Sequence, residues 1–281
     1  MLWYNQEDVK GESLMKIGFL GAGNMACAIL KGLLQKGFAK EADVMISRRD
    51  PVQRAKIAEA FGVLSAEDNI QLVQSCDVVV LAVKPYFLRA VIQEIKPHIG
   101  DKHVISIAAG WSFASLTEAF APQKPSILRV SVNTPVTVGE GMTVLCEETS
   151  FTPDMMAWAR DLFAALGSVK TLPERLQDGV VAVSGSGVAY MYTFIEALGD
   201  GAVRLGLPRD VAYQMAAQAM IGAGKMVLET GTHPGALKDA VCSPAGSTIE
   251  AIYELEKHGF RGIVIAAMDA CAEKLKKMAS N

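Results

Sequence analysis

Between Met15 and Leu34 the chain reads an apolar run, Met15-Lys16-Ile17-Gly18-Phe19-Leu20, then Gly21-Ala22-Gly23-Asn24-Met25-Ala26, then apolar residues at helical spacing from Cys27 onward. The run has the character of a buried strand, and the middle segment is the G-x-G-x-x-G/A dinucleotide pattern in its strand–turn–helix setting. Gly21 permits the tight turn and Gly23 lets a pyrophosphate approach the backbone. Ala26, in place of the third glycine, keeps the helix close to the strand.

The rest of the first half continues that plan. Strand-like runs near Ile17–Leu20, Val44–Ser47, Val78–Val83, Val104–Ile107, Ile127–Val132 and Thr143–Cys146 alternate with helical stretches near Met25–Gln35, Pro51–Phe61, Tyr86–Lys96, Phe113–Phe120 and Pro153–Leu166. Alternation of this kind predicts an α/β fold with a parallel, doubly wound Rossmann-type sheet over residues 15–173. After Pro173 the pattern is helical throughout, near Glu174–Leu205, Arg209–Thr230, Pro234–Val241, Ser247–Lys257 and Phe260–Met278, which predicts an all-α domain over residues 174–281. Several of these helices, such as Ala212–Ala223, are apolar or small around most of their circumference. One small domain can hardly bury them all, so a subunit interface is expected.

With 281 residues, 51% of them hydrophobic, the chain can bury a core in two domains. A net charge of −3 without basic clusters argues against nucleic acid as a partner. No apolar run reaches membrane-spanning length without charge, glycine or proline, so no membrane association is expected. Cys27, Cys76, Cys146, Cys242 and Cys271 are scattered, odd in number and without C-x-x-C spacing, which fits a reducing cytoplasm better than a disulfide framework or zinc site. No metal-ligand spacing is present. Residues 1–14 lack the apolar core of a signal peptide and read as an appended or alternatively started segment.

Three stretches carry the cofactor chemistry. The second strand ends in Ser47-Arg48-Arg49 with no acid before Asp50. An acid there would accept from the ribose 2′-hydroxyl of NAD, whereas two guanidiniums beside a serine suit the 2′-phosphate of NADP; NADPH is therefore the expected cofactor, with NADH possible. The run Leu81-Ala82-Val83-Lys84-Pro85 ends a strand beside the glycine loop, where Lys84 either neutralises phosphate or is simply solvated. Ser106-Ile107-Ala108-Ala109-Gly110 leaves room for a bound ring, or is a structural tight turn.

The segment Ser243-Pro244-Ala245-Gly246-Ser247-Thr248 runs into an amphipathic helix, and Ser247-x-x-Glu250 has the spacing of a capping box with Ser247 as N-cap. Such a start gathers backbone N–H groups and the positive helix end with little side-chain bulk in the way, so it suits a carboxylate or phosphate; many ordinary capped helices look the same. His98, His103, His233 and His258 read as surface residues at helix ends and loops.

Taken together, the chain from Met15 onward resembles the pyrroline-5-carboxylate reductase family. The resemblance rests on GFLGAGNMA at 18–26, AVKP at 82–85, SIAAG at 106–110, RVSVNTP at 129–135, GSGVAY at 185–190, LKDAVCSPAGSTIEAI at 237–252 and LEKHGFR at 255–261. Ser131-Val132 stand where the family has Met-Pro, Val188 where it has Pro, and Ala245 where it has the first Gly of PGG. The resemblance implies NAD(P)H-dependent reduction of 1-pyrroline-5-carboxylate to L-proline. It implies cofactor contacts at Leu20, Gly21, Ala22, Gly23, Asn24, Met25, Ser47, Asn69, Ala82, Val83, Lys84, Pro85, Ala108, Ala109 and Gly110. It places the substrate at Ser243, Gly246, Ser247 and Thr248, completed by the helical domain of a partner subunit in an intertwined dimer or larger ring. Thr248 then becomes the candidate donor to the ring nitrogen, its plainer role being a second capping hydroxyl. A β-hydroxyacid dehydrogenase shares the two-domain plan and would use a helical lysine, for which Lys238 is the tempting equivalent, but it lacks SPAGST. A non-catalytic NADP sensor is the alternative outside enzymes.

Overall fold

The computed structural model describes residues 15–279, with the side chains of 278 and 279 set aside; the segment 1–14 lies outside the described residues. Chain order runs β1 (Ile17–Leu20), α1 (Asn24–Gln35), β2 (Val44–Ser47), α2 (Pro51–Phe61), β3 (Leu64–Ser65), α3 (Asn69–Ser75), β4 (Val78–Leu81), α4 (Pro85–Ile95), β5 (His103–Ser106), α5 (Phe113–Phe120), β6 (Ser126–Val132), β7 (Gly141–Cys146), α6 (Pro153–Ala164) and β8 (Gly167–Leu172). The helical part follows as α7 (Gln177–Val180), α8 (Gly187–Arg204), α9 (Arg209–Thr230), α10 (Pro234–Val241), α11 (Ser247–Lys257) and α12 (Phe260–Ala279).

The eight strands form one sheet in the order β3-β2-β1-β4-β5-β6-β7-β8. Strand side chains alternate between two cores. Ile17, Phe19, Val78 and Val80 face a layer built with Ile29, Leu33 and Phe163. Leu20, Val79, Leu81 and Val104 face a layer built with Leu72, Leu88 and Leu116. Burial on both faces explains why these strands read as continuous apolar runs.

The sequence pattern predicts a parallel sheet, and the sheet is parallel at every pair but one. β6 and β7 pair antiparallel, Val130 opposite Leu145. Only a short 3₁₀ turn at Thr134–Val138 connects them, and a parallel return needs a longer crossover. β8 resumes the parallel direction beside β7. The short elements β3, α3 and β8 escape a periodicity reading: two residues, seven residues, and a strand broken up by Ser168, Lys170 and Thr171. β4 stops at Leu81, not Val83, because Val83 turns onto the glycine loop, where its Cγ1 would lie 2.7 Å from any Cβ on Gly21.

The expected single helix Glu174–Leu205 is broken. A 3₁₀ turn at Glu174–Leu176 and α7 lead into a π-helical turn at Val181–Gly185 before α8. Glycines at 185 and 187 loosen the backbone there, and Asn133 Nδ2 donates to Ser184 O at 3.0 Å. Glu174 is anchored: its Oε1 accepts from Arg129 Nη1 at 2.8 Å and from Phe113 N at 2.7 Å. Compact units divide between Gly185 and Ser186, beyond the expected boundary at Pro173, and residues 275–279 group with the first unit.

In the helical unit Tyr213 packs against the buried Gly199, and Arg209 Nη1 donates to Tyr213 Oη at 2.8 Å. Large apolar side chains stay exposed here, among them Leu205, Met215, Leu228, Tyr253 and Ile263. Within Glu174–Arg204 an 18-residue window reaches a mean hydropathy of 1.2, enough by length and composition alone to cross a membrane.

Candidate active site

A cavity of about 720 Å³ opens at the carboxyl ends of the parallel strands. It straddles the step from β1 to β4, where the strand order reverses direction and doubly wound folds bind their ligands.

The glycine loop forms its floor. Gly21 has φ +93°, a left-handed conformation that a side chain would strain. Gly21 N and Ala22 N both donate to Ser47 O, at 3.1 and 3.2 Å. Gly23 is the N-cap of α1 and offers no side-chain bond; a Cβ added there would meet nothing within 4 Å. The first intrahelical bond is Cys27 N to Gly23 O, so the N–H groups of Asn24, Met25 and Ala26 precede it, and no acid stands in the first turn. This is a cradle for an anion at a helix N-terminus. The Cys27 thiol is pushed above its usual pKa by burial, against the pull of Arg48, so it stays neutral beside the loop.

At the end of β2, Ser47 is buried and donates from Oγ to Asn69 Oδ1 at 2.7 Å. Arg48 Nη1 donates to Ala22 O, tying the end of β2 to the glycine loop. Arg49 lies with its guanidinium carbon 5.0 Å from the ring centre of Phe87. The acids near this corner are committed elsewhere: Asp50 Oδ1 caps α2 by accepting from Val52 N and Gln53 N at 3.0 Å, and Glu94 Oε2 accepts from Asn69 Nδ2 at 2.9 Å. The residues present therefore fit a dinucleotide whose adenosine ribose carries a phosphate.

Lys84 occupies the N-cap position of α4 without a side-chain capping bond, and Pro85 stands in the first turn. Trp111 Nε1 donates to Pro85 O at 3.2 Å, joining the turn after β5 to this corner. Of the expected cofactor residues, Gly21 to Met25, Ser47 to Arg49, Asn69, Ala82 to Pro85, Ala108 and Ala109 line the cavity. Leu20 and Gly110 do not: the Leu20 side chain is fully buried in the core, and Gly110 sits past the lining at φ +79°. Sequence reasoning missed Phe87, Ser131, Thr134 and Ser184 as lining residues. Ser131 and Thr134 belong to the RVSVNTP block and Ser184 adjoins GSGVAY, but only the sheet order brings β6 and the π-helical turn to this opening; Phe87, in the first turn of α4, lies outside every motif.

Ser243 to Thr248 lies in the helical unit. Gly246 N donates to Ser243 O at 3.0 Å, closing a turn with Pro244 second and Ala245 third at φ +56°. A positive φ at that position defines a type II turn. The expected cap is corrected: Gly246, not Ser247, is the N-cap of α11, and no side chain bonds the helix start. The turn sets Gly246 in extended backbone and leaves Ser247 already helical. A Cβ on Gly246 would collide with Ser243 Oγ. Ser247 and Thr248 are exposed, with their N–H groups in the uncapped first turn. Lys238 on α10 is paired with Asp239. Among the described residues no cluster of three His, Cys, Asp or Glu stands ready for a metal.

Fold and cavity together define a Rossmann-type dinucleotide-binding protein whose chain continues into an all-helical unit. A family model described as NADP oxidoreductase, coenzyme F420-dependent, matches residues 16–110, and one described as pyrroline-5-carboxylate reductase dimerisation matches 174–278. The chain is 43% identical over 267 residues to pyrroline-5-carboxylate reductase of Escherichia coli, covering 95% of this chain and 99% of that one. Its fold matches the Plasmodium falciparum enzyme, solved with NADP bound, at a TM-score of 0.88 and 31% identity, covering 96% and 100% of the two chains. The Streptococcus pyogenes enzyme matches at 0.84 and 32%, covering 94% and 98%. The chain belongs to the pyrroline-5-carboxylate reductase family.

Proposed function

We propose that this protein reduces 1-pyrroline-5-carboxylate to L-proline, with NADPH preferred and NADH as the weaker alternative. The observation that carries the reading is the uncapped start of α11 behind the Ser243–Gly246 turn, in a chain that also holds a phosphate cradle at Gly23. When bound, the cofactor supplies a hydride to the ring carbon of the C=N bond, and the ring nitrogen takes a proton.

The chain's own residues do the rest. Backbone N–H groups of Ser247 and Thr248, with Ser243 and Gly246 shaping the turn, hold the substrate carboxylate at the positive end of α11. Holding one end of a small ring fixes the attitude of the C=N bond, an orientation effect that supplies several kcal/mol of the barrier. The Thr248 hydroxyl donates to the ring nitrogen, directly or through water, and so favours its protonated, more electrophilic form. Asn24 and Met25 N–H groups take the pyrophosphate, Arg48 and Arg49 the adenosine end, and Ala108 and Ala109 leave room for the nicotinamide.

The apolar faces of α8, α9 and α12 pack in a homodimer, the unit from which a larger ring such as a decamer is built; no bilayer or nucleic acid is needed to cover them. A reducing cytoplasm is the compartment this reading assigns, supported by five scattered cysteines without C-x-x-C spacing.

Loss of NADPH absorbance on adding pyrroline-5-carboxylate, with proline formed in equal amount, tests the reaction. Cofactor binding with no imine turnover would make the protein an NADP sensor. Light scattering on dilution tests assembly, and an active monomer would overturn it.

A further inference from the structure

Arg48 and Arg49 stand side by side in the sequence but are held in different ways. Arg48 spends Nη1 on Ala22 O and braces the glycine loop. Arg49, exposed at the cavity, has no hydrogen bond or ion pair among the described residues; what it meets is the ring of Phe87, 5.0 Å away. A guanidinium held by a ring quadrupole keeps its N–H donors unspent.

Phe87 is itself fixed. Phe87 N donates to Lys84 O at 2.9 Å in the first turn of α4, and the neighbouring Tyr86 ring lies 4.0 Å from it, centre to centre, at 40°. Tyr86 is otherwise 76% exposed, so packing in the core does not account for its place. Arg54, the next cation along, donates to Glu67 O and does not compete for the ring.

Resting on the NADPH reading above, we infer that Phe87 is a positioning residue for Arg49: its ring carries the guanidinium at the cavity with all donors free for the 2′-phosphate. Discrimination between NADPH and NADH then depends on an aromatic side chain at position 87 as well as on Arg49.

Calorimetric binding of adenosine 2′,5′-bisphosphate and adenosine 5′-monophosphate to the full chain tests this without turnover. Phe87→Leu should weaken the bisphosphate roughly two- to five-fold relative to the monophosphate, the scale of one cation–π contact. Phe87→Tyr should retain the wild-type ratio. In an Arg49→Ala background, Phe87→Leu should no longer change the ratio. Equal weakening of both ligands would make Phe87 a wall for adenine only and overturn the proposal, as would a ratio penalty that persists without Arg49. An unchanged ratio in Arg49→Ala alone would instead remove Arg49 as the phosphate reader, and the NADPH preference based on it.

Discussion

The Ser47 hydroxyl, at the end of β2, donates to Asn69 Oδ1, at the start of α3, over 2.7 Å. Asn69 Nδ2 passes the chain on to Glu94 Oε2 on α4 at 2.9 Å. One amide thus fixes the strand end that presents Arg48 and Arg49. Asn69→Ala would leave a hydroxyl on a residue only 1% exposed without its partner. The expected loss is about 1–3 kcal/mol of stability, read by urea denaturation at one protein concentration, together with weaker NADPH binding. Wild-type stability in the variant would show that the Ser47 hydroxyl bonds elsewhere.

Ala245 is the one described non-glycine residue at positive φ, +56°, at the turn position that prefers glycine. Ala245→Gly should stabilise by about 0.5–1 kcal/mol, since relief of the left-handed strain exceeds the entropy glycine adds to the unfolded chain. Ser247→Ala should change stability by less than about 0.5 kcal/mol, because Ser247 bonds no helix N–H. A loss nearer 1 kcal/mol would restore Ser247 as the cap.

Thr248→Ala should lower the turnover rate about tenfold or more, equivalent to about 1.4 kcal/mol at the reacting nitrogen. NADPH affinity should hold, because the cofactor residues belong to the Rossmann unit. An unchanged rate with normal substrate affinity would leave Thr248 without a chemical role.

His103 is not the surface residue its neighbours suggested. It lies in β5, edge-on to Phe151 at 5.6 Å, with Nδ1 buried and without a partner among the described residues. Burial lowers its pKa below 6.5, against the opposing pull of Asp101 and Asp77. The unfolded chain therefore takes up this proton first as pH falls, so the stability His103 contributes is full above 6.5 and declines below it. His103→Gln should reduce the slope with which stability falls as the pH drops through and below 6.5. An NMR titration midpoint at or above 6.5 would contradict this.

The sequence alone determined the strand–glycine–helix opening, the alternation that builds the sheet, and the change to helices after Pro173. Each is written in local periodicity and in residues such as Gly21, whose backbone few others can adopt. The same local information identified most of the cavity lining, since glycine loops and strand ends recur at fixed offsets from apolar runs. Tertiary structure alone decided the rest. Ser47 and Asn69 meet because α3 packs beside β2, and Ser131 and Ser184 reach the cavity because β6 lies next to β5. The capping motif at Ser247 failed because the Ser243–Gly246 turn already sets the helix start one residue earlier. Arg48 and Arg49 look equivalent in the chain, yet the carbonyl of Ala22 and the ring of Phe87 give them different work. Contacts between distant segments depend on packing geometry, and no spacing within one segment encodes them.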